Sequence, residues 1–127
     1  VMRRIGEISA ESRLRIANVF HAGDGNLHPL VLFDEDKPGE VDRTLEAGAE
    51  IMRACAEAGG SLTGEHGIGM EKMNLMPLIF SQADVAIMQR IKAALDPGGL
   101  CNPGKLFPTP GRCLEMFARK GGSAVGW

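Results

Sequence analysis

His21-Ala22-Gly23-Asp24-Gly25-Asn26-Leu27-His28 carries the fold signal of this chain. Before it, Arg15-Ile16-Ala17-Asn18-Val19-Phe20 is rich in β-branched and aromatic residues, and after it Leu30-Val31-Leu32-Phe33 is a short apolar run. Asp-Gly between two such runs is the strongest short-range hairpin signal, because a type I′ turn needs positive φ at both central positions. With Asp24 and Gly25 at the turn, Gly23 faces Asn26, Ala22 faces Leu27 and His21 faces His28. Directly opposed residues have Cβ atoms roughly 4.5–5.5 Å apart. Two imidazoles at that separation can share one ion at about 2.0–2.1 Å per nitrogen. Asn26 falls on the same face as both histidines, because strand side chains alternate.

The rest of the chain frames that hairpin. Residues 1–12 read as the end of a helix, with Met2, Ile5 and Ile8 at helical spacing. The hairpin spans about residues 14–33, and its second arm is apolar on both faces, which predicts that it is buried on both sides or covered by helices. Asp36 is the expected N-cap of the next helix, with Pro38 in its first turn. That helix is expected over residues 39–58, burying Val41, Leu45, Ala49, Met52 and Cys55 and ending at Gly59-Gly60. Ser61-Leu62-Thr63 reads as a short extended segment, and residues 70–80 as a loop or short helix. Ser81 with Asp84 resembles a capping box opening a further helix, whose buried stripe is Val85, Met88, Ile91 and Leu95. Asp96-Pro97-Gly98-Gly99 stops it. Phe117 and Trp127 are the apolar residues able to dock in the tail. The predicted class is α+β: a small antiparallel sheet centred on the hairpin, with helices packed on it.

At 127 residues the chain has the length of one domain, and its formal net charge of −2 comes from mixed signs without a run of like charge. No basic patch points to nucleic acid. No apolar stretch approaches the ~18 residues that span a bilayer, and no signal peptide opens the sequence. Cys55, Cys101 and Cys113 are odd in number and lack Cys-x-x-Cys spacing, so a disulfide framework and a thiolate zinc site are both disfavoured and a reducing compartment is expected. The sequence opens at Val1 in what reads as a helix tail, which predicts a piece of a longer protein.

A second chemical cluster lies in Gly64-Glu65-His66-Gly67-Ile68-Gly69, where three glycines allow close backbone approach. Adjacent residues of an extended loop point to opposite sides, so Glu65 and His66 serve different partners. His21, His28 and Glu65 together make a His₂-carboxylate set, and three protein ligands leave positions open, the mark of a catalytic metal site. Zn²⁺, Mn²⁺ and Fe²⁺ all suit it. His66 is then available as a general base, a task that its ordinary pKa of ~6.5 fits. Lys72 and Arg112 are cations able to meet an anionic substrate, although each also reads as a solvated surface residue.

Three blocks of this sequence resemble the C-terminal domain of FAD-linked oxidases. They are His21-Ala-Gly-Asp-Gly-Asn-Leu-His28-Pro, Ser61-Leu-Thr-Gly-Glu65-His66-Gly-Ile-Gly-Met-Glu-Lys72 and Asp96-Pro-Gly-Gly-Leu-Cys-Asn102-Pro-Gly-Lys105. Within that family they look most like the glycolate oxidase D-subunit group, which the Gly111-Arg112-Cys113 tail also resembles; D-lactate and D-2-hydroxyglutarate dehydrogenases share the same blocks. The resemblance covers nearly the whole chain, in the family's order and spacing. It implies a ferredoxin-like cap-domain portion, with the FAD-binding domain and the front of the cap domain absent from this sequence. It also implies metal ligands His21, His28 and Glu65, a proton-accepting His66, and flavin contacts at Asn102 and, more weakly, Asn26. The implied activity is oxidation of glycolate or a D-2-hydroxy acid to the 2-oxo acid with hydride transfer to FAD. A divalent metal, Zn, Mn or Fe, would assist. Implied partners are the small 2-hydroxy acid, the FAD-binding domain of the same protein and other glycolate oxidase subunits, in the cytoplasm or held at the inner membrane through those subunits.

Two other classes use the same residues. One is a metal-dependent hydrolase or non-haem iron oxygenase built on the His₂-carboxylate set; metal-dependent hydrolysis or oxygen consumption would identify it. The other is a non-catalytic module: either a metal-binding module without activity of its own, or a binding or assembly module in which the segment from His21 to His28 is a structural turn.

Overall fold

The computed structural model describes residues 1–108. Arg112, Cys113, Phe117, Trp127 and the Gly111-Arg112-Cys113 likeness lie outside the described residues. The chain divides into two units, Val1–Glu65 and His66–Trp127.

The first unit runs α1 (Met2–Ser12), β1 (Arg15–His21), β2 (Asn26–Leu32) and α2 (Glu40–Glu57). This order matches the middle four elements of the β-α-β-β-α-β ferredoxin-like arrangement. Among the described residues the sheet has two antiparallel strands, so the unit is α+β. Arg13 ends α1 in the left-handed region at φ 56°, and the Ser9 hydroxyl donates to the Leu14 carbonyl at 2.6 Å, tying the helix end to the start of the strand. Ile5, Ile8, Leu14, Ala47 and Ile51 form the buried core, with Ile16, Leu27, Val31 and Cys55 packed against it. Alternation assigns Ile16, Leu27 and Val31 to the helix-facing side of the hairpin.

The opposite side of the sheet carries Val19, Leu30 and Leu32, each about half exposed. Burial on both sides is therefore not realised: among the described residues one face is covered by the helices and one is open. An apolar run on both faces records what a strand is able to bury, not what is present to cover it.

α2 also departs in detail. Gly39, at φ 75°, stands at its N-cap without a side-chain cap, so neither Asp36 as cap nor Pro38 in the first turn holds. The loop's turns are organised by Asp34, whose carbonyl accepts from Lys37 N and whose carboxylate accepts from Asp36 N. Its buried residues are Ala47 and Ile51, while Val41 and Leu45 are exposed. At about 100° per residue, this stripe is rotated by roughly a quarter turn from the expected one, the two sharing Cys55. The helix end is as expected: Gly59 adopts φ 77° and Gly60 N donates to Cys55 O at 2.9 Å. A side chain at Gly60 would bring Cβ to 2.9 Å from that carbonyl oxygen.

The second unit begins with an irregular segment, followed by a 3₁₀ turn at Met73–Leu78 and α3 at Gln82–Leu95. Ile68 and Met76 are buried. α3 opens with the expected capping box: the Ser81 side chain accepts from Asp84 N, and the Asp84 carboxylate accepts from Ser81 N. Its expected buried stripe is not realised. Val85 and Met88 are half-buried, whereas Ile91 and Leu95 are 55% and 83% exposed. Ser61–Thr63 forms no strand.

Candidate metal centre

The hairpin turn begins one residue pair earlier than its Asp-Gly signal indicates. Asp24 N donates to His21 O at 3.1 Å, and of the two expected turn residues only Gly25 has positive φ, at 69°. The connection is thus a four-residue loop, Ala22 to Gly25, of the kind built around a β-turn and closed by a left-handed glycine. His21 pairs with Asn26 and Val19 with His28, in place of the expected His21–His28 pair. The difference is two residues along one strand. Side chains repeat every two residues, so an even shift leaves every group on its expected face, where a shift of one would have moved the set to the other side.

His21 and His28 are therefore diagonal neighbours on the open face, a separation that aromatic side chains can bridge. Their ring centroids lie 5.4 Å apart at an interplanar angle of 84°. Glu65 reaches the same place. Its carboxylate lies 3.5 Å from His21 Nε2 through Oε1 and 3.9 Å from His28 Nε2 through Oε2. The segment that delivers it is anchored by Leu62, which is 2% exposed. His28 is the most enclosed of the three side chains, at 20% exposure against 55% for His21 and 51% for Glu65.

One ligand atom from each of these residues lies within 4.8 Å of the others. Tetrahedral bonds of about 2.0–2.1 Å place neighbouring ligand atoms roughly 3.3 Å apart, so modest side-chain rotation closes the set around one ion. Two imidazoles and one carboxylate suit Zn²⁺, Mn²⁺ or Fe²⁺, and open positions remain for a substrate oxygen. Among the described residues this is the one cluster of three or more histidine, cysteine or acidic side chains with metal-binding spacing.

Asn26 completes the group. Its Nδ2 donates to Glu65 Oε1 at 2.7 Å. Gly64 sits against the same amide: a Cβ there would stand 2.7 Å from Asn26 Oδ1 and 2.9 Å from Asn26 Cγ. Sequence reasoning placed Asn26 on the correct face but did not foresee its bond to Glu65, because their meeting depends on the path of the chain between them.

His66 and Asn102 belong to the second unit and are both exposed. Asn102 adopts φ 47°, and its carbonyl accepts from Lys105 N at 3.2 Å. Asp96 shapes the loop that presents it. The Asp96 carboxylate accepts from Lys92 Nζ at 2.7 Å, from Leu100 N at 2.9 Å and from Cys101 N at 3.0 Å. Lys92 also donates to the Cys101 carbonyl at 2.8 Å. The Lys92 ammonium holds the Asp96 carboxyl below its ordinary value; burial opposes it, and the backbone donors of Cys101 and Leu100 add to the lowering. The sequence signals a helix stop at Asp96 but not this clamp. Lys72 is half-buried at the start of the 3₁₀ turn. No helix among the described residues is long and apolar enough to cross a membrane.

The family described as FAD linked oxidases, C-terminal domain, matches residues 1–106. Glycolate oxidase subunit GlcD of Escherichia coli K12 is 52% identical over 118 residues, covering 93% of this chain and 24% of that protein. The GlcD subunit of Bacillus subtilis is 38% identical, covering 88% of this chain and 24% of its own length. A D-lactate dehydrogenase of Anaerostipes hadrus is 35% identical over 78% of this chain and 21% of its own length. The chain thus spans about a quarter of the length of the curated relatives it matches. With its α+β hairpin unit and a family match running through residue 106, this chain belongs to the FAD-linked oxidases, as a C-terminal domain.

Proposed function

We propose that this chain is the C-terminal portion of a flavin-dependent 2-hydroxy acid oxidoreductase. It contributes the metal ligands and the proton acceptor, and FAD is held mainly by the FAD-binding domain of the same protein. The substrate is glycolate or a related D-2-hydroxy acid such as D-lactate or D-2-hydroxyglutarate, and the product is the 2-oxo acid. The observation that carries this reading is the convergence of His21, His28 and Glu65 within 4.8 Å in a member of an FAD-linked family. The relatives named for glycolate oxidase and D-lactate dehydrogenase support the substrate class. Glycolate oxidase subunits are the proposed partners, in the cytoplasm or at the inner membrane through those partners.

His21 Nε2, His28 Nε2 and the Glu65 carboxylate would hold a divalent ion, Zn²⁺, Mn²⁺ or Fe²⁺. Bound there, the ion supplies Lewis-acid polarisation of the substrate's carboxylate and 2-hydroxyl. FAD, when bound, would supply the two-electron acceptor for the hydride from C2. His66 takes the hydroxyl proton, so that the C2–O bond becomes a carbonyl as the C2–H bond breaks. Asn102 would contact the flavin.

General base catalysis accounts for about 10²–10⁴-fold in rate. His66→Ala in the flavin-loaded holoenzyme is therefore expected to lower kcat by about that factor while metal content, read by elemental analysis, stays at the wild-type level. His21→Ala and His28→Ala are expected to lose the metal. Unchanged turnover in His66→Ala removes that residue from the reaction, and wild-type protein that takes up no divalent metal overturns the site.

A further inference from the structure

We infer that Asn26 is a positioning residue for the metal-binding carboxylate, and that Gly64 is small because that amide must lie against it. This rests on the metal reading of His21, His28 and Glu65. Glu65 sits on a segment without regular structure, its side chain is half exposed, and no backbone ladder orients it. The contact that aims it is the 2.7 Å hydrogen bond from Asn26 Nδ2 to Oε1. Asn26 is well placed for this. It lies directly opposite His21 in the strand register and shares a face with His28, so the hairpin that presents both imidazoles also presents the donor. The bond occupies one lone pair of Oε1, the oxygen 3.5 Å from His21 Nε2. Oε2, 3.9 Å from His28 Nε2, is left facing the second imidazole. Hydrogen-bonded partners of metal-ligating carboxylates orient the ligand in this way, and removing one typically weakens metal affinity by about 10–100-fold.

Gly64 supplies an independent observation. Its would-be Cβ meets Oδ1 and Cγ of Asn26 at 2.7 and 2.9 Å, closer than real Cβ atoms come, and Nδ2 at 3.1 Å. No positive φ requires glycine there, so the constraint is space for this amide and not backbone conformation. A methyl group at position 64 would push the amide off the carboxylate. Gly64→Ala should therefore act through Asn26.

The test is a Mn²⁺ titration of the purified protein, followed by the six-line EPR signal of the free ion, on wild type, Asn26→Ala, Gly64→Ala and the double variant. Asn26→Ala and Gly64→Ala are each expected to weaken Mn²⁺ binding about 10–100-fold. The double variant is expected to be no weaker than Asn26→Ala, because the clash disappears with the amide. A generally loosened fold would instead give losses that accumulate. Wild-type protein that fails to bind Mn²⁺ or Zn²⁺ overturns the metal reading, and this inference with it. Wild-type binding with unchanged affinity in either single variant overturns this inference alone. Intact Mn²⁺ affinity with altered flavin absorbance in the Asn26→Ala holoenzyme assigns the amide to the flavin instead and likewise overturns it. Should Asn26→Ala not fold, Gly64→Ala decides, since it alters an exposed loop position.

Discussion

α2 buries Ala47 and Ile51 against α1 and the hairpin, whereas α3, with the better N-terminal signal of the two, buries no residue. α2 starts at a bare Gly39 without a side-chain cap; α3 starts at a complete Ser81–Asp84 capping box. The contrast separates two sources of helix stability. Capping satisfies orphan backbone groups within one turn and needs only neighbours in sequence. Core burial needs a partner surface, and it is the larger of the two, since most helical stability in proteins comes from packing an amphipathic face. α2 has its partner within the same unit. α3 presents Ile87, Ile91 and Leu95 to solvent.

The sharpest way to break this contrast is Ile51→Ala. Ile51 is 1% exposed at the centre of the core, so chemical denaturation should register a loss of about 2–5 kcal/mol. Against a typical total of roughly 5–15 kcal/mol, that is enough to threaten the first unit. A loss under about 1 kcal/mol would put α2 in the same position as α3.

Ser81→Ala comes next, with an expected cost of about 1 kcal/mol from the lost cap. It carries a second readout. The Ser81 hydroxyl, and then its backbone N–H, hold the Asp84 carboxyl below its ordinary value of 3.8. A carboxylate depressed in the folded state adds stability that is complete above the unfolded value and fades as pH falls through the folded one. An NMR titration should therefore show Asp84 moving up toward 3.8 in the variant, and the acid-side loss of α3 should flatten. An Asp84 titration identical in wild type and variant would mean that the box does not form.

The smallest effect is expected at Leu95, which is 83% exposed despite its place in an apolar stripe. Leu95→Ala should change stability by no more than about 0.5 kcal/mol. A cost comparable to that of Ile51→Ala would show α3 packed as tightly as α2.

The same distinction governs what could be read from residues alone. Among signals that act within a few positions, the hairpin between 14 and 33, the glycine stop at Gly59-Gly60 and the capping box were legible, whereas the expected Asp36 cap is replaced by Gly39. The face of α2 was not legible, because its apolar arc is broad and α1, together with the hairpin, selects Ala47 and Ile51 from it. The register of the hairpin was misjudged by two, since whether Asp-Gly sits at the centre or the end of a turn depends on how the flanking strands pair. His21 and His28 share a face in either register because two is the period of a strand. Glu65 was legible as a ligand candidate through its glycine-flanked setting. Its bond to Asn26, thirty-nine positions earlier, was not.

What the sequence determined by itself is chemical and local: which side chains can ligate a metal, where the chain turns, and which family it resembles. The tertiary structure decided which face of each element is covered and which donor aims Glu65. The physical reason is range. Backbone conformation and capping answer to the next few residues, whereas burial and the meeting of Asn26 with Glu65 require segments far apart in sequence to arrive at one place.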